Sequence, residues 1–181
     1  MENLIKPLTT VSVKGIILFL LSLLAVTSKA QQGADHAIQA NIIYRFTKYI
    51  DWPADKKSGD FVIGIVGDSP LYDALKGFIG NKTAGAQKIV IKRFSASSGA
   101  FDCQILFVSD DESGMLRKIA AGTLNTPILL VTESDGLARK GSCINFVVVD
   151  DHLKLEINKS NIEKRNLSIA SELLQLGIPV K

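Results

Sequence analysis

Leu153, Leu155 and Ile157 alternate with Lys154, Glu156 and Asn158, the period-two pattern of a strand with one buried face. The apolar run Ile144 to Val149 ends just before it, so the two predict a tight antiparallel hairpin turning at Asp151 and His152. Ser160-Asn161-Ile162-Glu163 has the spacing of a capping box, in which the serine hydroxyl accepts from a free backbone N–H and the glutamate reaches back to the cap. A short helix is predicted from Ser160 and ends at Asn166, because asparagine tolerates the left-handed conformation. Ser168 offers a second N-cap, for a final helix striped by Ile169, Leu173, Leu174 and Leu176 and closed by Gly177 and Pro179.

Upstream, Ile38, Ile42, Phe46, Tyr49 and Ile50 recur at three- and four-residue spacings. They predict a helix from Ala37 to Trp52, capped by Asp35 and stopped by Pro53. Apolar runs predict strands at Phe61 to Val66, Lys88 to Phe94, Gln104 to Val108, Ile128 to Val131 and Ile144 to Val149. Gly67-Asp68-Ser69-Pro70 opens a helix through Phe78, Ser113 to Ala121 reads as another, and Leu137 falls in a brief turn. Strands alternating with helices imply an α/β fold: a mainly parallel five- to six-stranded sheet, helices on both faces, and a C-terminal antiparallel hairpin strand.

The first stretch is of another kind. Lys6 and Lys14 precede the apolar run Ile16 to Val26, and Ser28-Lys29-Ala30 supplies small residues where a signal peptidase reads. The run is shorter than the ~20 residues a membrane-spanning helix needs. The expectation is a signal peptide over residues 1–30, cleaved after Ala30, leaving residues 31–181 as a single exported domain. The net charge of +3 becomes smaller once Lys6, Lys14 and Lys29 leave with Glu2. That balance gives no case for nucleic acid, which favours a clustered basic face.

An exported chain is allowed a disulfide, and Cys103 and Cys143 are its cysteines. In the common doubly wound order 2-1-3-4-5 their strands are separated by another strand. That places them about 10 Å apart, beyond the roughly 7 Å reach of a bridge. Two free thiols are expected; the alternative, a bridge, requires Cys143 to lie out in its loop.

Reactive constellations are sparse. GIVGDSP lacks the third glycine of the dinucleotide fingerprint and the Lys-Ser/Thr ending of a P-loop. His36 and His152 have no Cys, Asp or Glu at metal-ligand spacing, and no serine lies in Gly-x-Ser-x-Gly. No catalytic residue, metal or cofactor is expected. Asp68, Asp110 and Thr132 fall at predicted strand ends, where an open α/β sheet binds ligands, and make a candidate small-molecule pocket.

Three stretches resemble the YfiR family of periplasmic regulators: Tyr44-Arg45-Phe46-Thr47-Lys48-Tyr49-Ile50-Asp51-Trp52-Pro53, Cys103-Gln104-Ile105-Leu106-Phe107-Val108, and Leu155-Glu156-Ile157-Asn158 followed by Asn166-Leu167-Ser168-Ile169-Ala170-Ser171-Glu172-Leu173-Leu174. Asn166, Gly177 and Ala170 depart from the family pattern, standing where glycine, alanine and serine are expected. The resemblance implies a non-enzymatic periplasmic protein that binds and represses the sensor region of an inner-membrane protein. That partner is a diguanylate cyclase, controlling cyclic di-GMP and biofilm, or a histidine kinase, with an outer-membrane or periplasmic protein as antagonist. Partner-binding candidates are Tyr44, Trp52, Glu156, Asn158 and Ser168. The alternative is a periplasmic small-molecule-binding sensor module.

Overall fold

The structure, a computed structural model, describes residues 35–181; the expected leader and its cleavage after Ala30 lie outside the described residues. Helix α1 covers 35–49. Asp35 is thus already helical and not a cap ahead of it. The strands are β1 (Ile50–Asp51), β2 (Phe61–Val66), β3 (Thr83–Ala84), β4 (Gln87–Phe94), β5 (Ile105–Val108), β6 (Leu129–Glu133), β7 (Ile144–Val149), β8 (His152–Ile157), β9 (Ser168–Ile169) and β10 (Ile178–Pro179). The remaining helices are α2 (Leu71–Ile79), α3 (Leu116–Gly122), α4 (Lys159–Glu163) and α5 (Ser171–Leu176).

The main sheet has eight strands in the order β10-β8-β7-β6-β5-β2-β4-β3. From β4 through β2, β5 and β6 to β7 the strands run parallel, which is the doubly wound order 2-1-3-4-5. The expected hairpin strand is present as β8, antiparallel to β7. Its turn is Asp150-Asp151, both with positive φ (51° and 57°), the conformation a two-residue hairpin loop demands; His152 already belongs to the strand. The sheet is wider than the five or six strands expected, because β10 adds parallel to β8 and β3 adds antiparallel to β4. Two-residue strands are too short for any alternation to register in a sequence.

The β2-to-β4 and β5-to-β6 crossovers run in opposite directions across the sheet, so right-handed connections set α2 and α3 on opposite faces. Helix α1 shares the face of α2: Phe46 packs on Phe146 at 6.4 Å between ring centroids, and Tyr44 meets Phe78 edge-on at 6.0 Å. Fully buried Phe46, Ile63, Ile65, Phe107 and Phe146 anchor one continuous core. Each such side chain contributes about 1.5–3 kcal/mol by leaving water.

Several local expectations are corrected. The first helix ends before Ile50, because Ile50 and Asp51 leave it to pair with Ile169 and Ser168. Asn158, not Ser160, caps α4: its side chain accepts from the Asn161 N–H. Ser168 is a strand residue, and α5 begins at Ser171 after Ala170, without a side-chain cap. The helix expected from Ser113 is a 3-10 turn over Asp110–Met115 that becomes α-helical only at Leu116. Asn166 does adopt a positive φ, 55°. Gly177, where alanine was expected, accommodates Ile157: a Cβ there would lie 2.4 Å from Ile157 Cδ1. Cys103 and Cys143 are both free and buried, and β6 lies between their strands.

Candidate functional site

At the C-terminal ends of the parallel strands, a polar network ties several sequence candidates together. Thr132, fully buried, donates its hydroxyl to Asn145 Oδ1 at 2.7 Å. Asn145 Nδ2 in turn donates to the Ser134 carbonyl at 2.8 Å and to Glu156 Oε2 at 2.9 Å. The Ser134 hydroxyl bonds the Asp110 carboxylate. The network therefore joins Thr132, Asp110 and Glu156 through Asn145, a residue the sequence reading passed over. Its signal was a lone amide inside the apolar run of β7, since a buried polar group must find partners.

Asp68 sits apart from that network, on an exposed loop. Its carboxylate pairs with Arg93 at 2.9 Å, and its backbone N–H donates to Asp111 Oδ2 at 3.3 Å. The Ser109 hydroxyl also bonds Asp111, and that hydrogen bond holds the Asp111 carboxyl below the usual carboxylate range. Gly67 (φ 92°) is needed at this turn, because a Cβ would collide with the Ser109 hydroxyl.

At the opposite end of the sheet, Trp52 is buried (5% exposed). Its ring meets Phe61 edge-on at 5.0 Å, and Nε1 donates to the Gln104 carbonyl at 3.2 Å. Ser168, the ladder partner of Asp51, which directly precedes Trp52, is exposed. Asn158 is buried in its capping role and donates Nδ2 to the Ala138 carbonyl at 3.1 Å. Tyr44 is half-buried against Phe78 on the α1 face, whereas Glu156 bonds Asn145 on the other side of the sheet from Phe146. The candidate partner residues thus do not share one surface: Trp52 and Ser168 neighbour each other, Asn158 lies at the same end, and Tyr44 and Glu156 face opposite ways.

A surface the sequence reading did not single out lies between α1, β8 and α5. A groove of about 270 Å³ is lined mostly by apolar residues, among them Ile42, Tyr49, Leu153, Leu155, Leu173 and Leu176, with Arg45 and Lys154 also in its wall. Three exposed apolar side chains surround it: Ile38 (49%), Val148 (66%) and Leu176 (72%). Ile38 is one turn before Ile42 on α1, and Val148 is the register partner of Leu153, so the exposed residues are continuous with the groove. Such a cluster is the informative departure from a solvated surface. Hydrophobic periodicity alone could not reveal it, because it assigns every striped residue to the core.

Among the described residues no group of His, Cys, Asp and Glu could hold a metal ion, and no helix is long and apolar enough to cross a membrane. The fold is that of a small α/β protein with a mainly parallel sheet. The chain belongs to the YfiR/HmsC-like family, whose model matches residues 36–178. That membership points to a periplasmic regulator of cyclic di-GMP signalling. A search of curated proteins finds no match to the chain.

Proposed function

We propose that this protein binds the periplasmic sensor region of an inner-membrane signalling protein, a diguanylate cyclase or a histidine kinase, and holds it inactive. The observation that carries the reading is the apolar surface around Ile38, Val148 and Leu176, added to membership of a regulator family. Exposed apolar clusters of this kind mark docking sites, and their burial supplies the affinity. Repression needs a difference, because a ligand shifts an equilibrium only by its differential affinity for the two states, here a few kcal/mol. The docked surface must therefore fit the inactive sensor better than the active one.

The test is capture of membrane proteins by the tagged protein from its own periplasm, in wild type and in Val148→Asp and Leu176→Lys variants. Recovery of a cyclase or kinase with a periplasmic sensor domain, lost in both variants, supports the reading. Capture that neither variant diminishes, or no membrane sensor at all, overturns it.

A further inference from the structure

A second groove, of about 970 Å³, lies between α4, β10 and the segment around Gly141. Its floor is apolar, from Ile157, Leu174, Pro179 and Val180. Its rim carries Arg139, Lys140, Lys159, Lys164 and Lys181, and no Asp or Glu side chain lines it. In a chain with 21 Lys and Arg against 18 Asp and Glu, that is charge segregation and not composition. Only Lys159 has a carboxylate partner, Glu163 at 3.5 Å, which stands outside the groove. Among the described residues Arg139, Lys140 and Lys164 have none.

The walls are fixed before anything binds. Asn161 Nδ2 donates to the Ser142 carbonyl at 2.9 Å, Asn158 Nδ2 to the Ala138 carbonyl at 3.1 Å, and the fully buried Arg165 to the carbonyls of Asn161 and Gly141. These bonds lock α4 to the segment bearing Arg139 and Lys140. The volume is within the ~300–1,000 Å³ of small-molecule sites, which likewise pair an apolar lining with a few charged groups.

We propose that this groove binds a small amphipathic anion, with a phosphate or carboxylate head among Arg139, Lys140 and Lys164 and a hydrocarbon or aromatic body on Ile157, Leu174 and Val180. Each half of the lining asks for one half of such a ligand. Cations at the rim attract the head, and the floor is stabilised by covering apolar area. A peptide strand fits less well, because the adjacent edge strand β10 contains Pro179, which has no N–H to pair with it. The proposal stands independently of the sensor-docking reading, since it concerns a different groove and is measured without a protein partner.

The experiment is calorimetric titration of the purified protein with octyl phosphate below its micelle-forming concentration, with inorganic phosphate and octyl glucoside as half-ligands. Octyl phosphate is expected to bind at least tenfold more tightly than either half-ligand. A Lys140→Gln/Lys164→Gln variant, both positions exposed, should lose at least tenfold while keeping the wild-type melting temperature. A Leu174→Gln variant should reduce binding of octyl phosphate but not of phosphate. Equal affinity for octyl phosphate and either half-ligand overturns the proposal. So does unchanged binding in the lysine variant, or tighter binding of an acidic Glu/Ala peptide than of octyl phosphate.

Discussion

Trp52 and Gln104 meet where the indole N–H donates to the Gln104 carbonyl at 3.2 Å, and Gln104 is a junction in its own right. Its Oε1 accepts from the Val62 N–H at 2.8 Å, and its Nε2 donates to the carbonyls of Lys56 and Asp60. One glutamine thus ties the loop after α1 to the starts of β2 and β5. Trp52→Phe should cost about 1 kcal/mol for the lost hydrogen bond, and Trp52→Ala about 3–5 kcal/mol for the cavity. Gln104→Leu should cost about 1–3 kcal/mol by stranding the buried Val62 N–H. Urea denaturation of the three variants checks the ranking; a Trp52→Ala variant as stable as wild type contradicts the packing described.

Arg165 is fully buried, and its guanidinium donates to the carbonyls of Asn161, Ala120 and Gly141. Arg165→Met keeps much of the volume but leaves those carbonyls without this partner, at about 2–4 kcal/mol. At roughly 2–4 °C per kcal/mol for a chain of this size, the melting temperature should fall on the order of 10 °C. Arg165→Lys should recover only part of the loss, because one ammonium cannot span three acceptors as the planar fork does.

Gly177 and Ile157 are coupled through space. Gly177→Ala forces its new methyl against Ile157 Cδ1 and Cγ1 and should cost about 1–3 kcal/mol by overpacking. Ile157→Val alone should cost about 0.5–1.5 kcal/mol. The double variant should be less destabilised than the sum by about 1 kcal/mol, since the removed Cδ1 is the closest obstruction. Strict additivity in a double-mutant cycle argues that the helix end shifts instead.

The thiols give a pH dependence of defined sign. Burial pushes Cys103 up to about 12 and raises Cys143 as well. Below the unfolded value of about 9.0 both states hold the proton, so the contribution is fully present. As pH rises through that value the unfolded chain releases protons the folded chain retains, and stability is lost progressively toward about 12. Urea midpoints between pH 8 and 11 should fall less steeply for Cys103→Ala/Cys143→Ala than for wild type. Both thiols should also resist alkylation until the protein unfolds.

Val148→Asp and Leu176→Lys place charge on side chains that are already 66% and 72% exposed. Stability should change by no more than ~0.5 kcal/mol, while capture of the membrane partner should drop at least tenfold. Ser168→Ala, at the other end of the sheet, should leave capture intact. A variant that lowers stability and capture together would point to unfolding and remove the support for this surface.

The parallel strands were legible because each is a buried apolar run bounded by turn residues, and their order followed from a common topology. The hairpin was legible because alternation in β8 has a period no helix shares. What escaped depended on partners distant in sequence. Ile50 and Asp51 carry a helical stripe, yet they leave α1 because Ile169 and Ser168 offer a ladder. Asn158 outcompetes Ser160 as cap because the fold also gives its amide the Ala138 carbonyl. The exposed apolar surface was invisible for a related reason: Leu176 and Val148 look like core residues in the sequence, and only the assembled layers leave them uncovered. Arg165 reads as one more charge in Lys164-Arg165, and nothing local shows that it is enclosed.

The two margins of the sheet are guarded by different means. Beyond its short pairing with β3, β4 runs along an open margin whose residues include the exposed Lys92 and Arg93, and charge there repels a foreign strand. The other margin ends in β10, where Pro179 has no N–H to offer. Both margins of this sheet are thus blunted against the addition of a foreign strand.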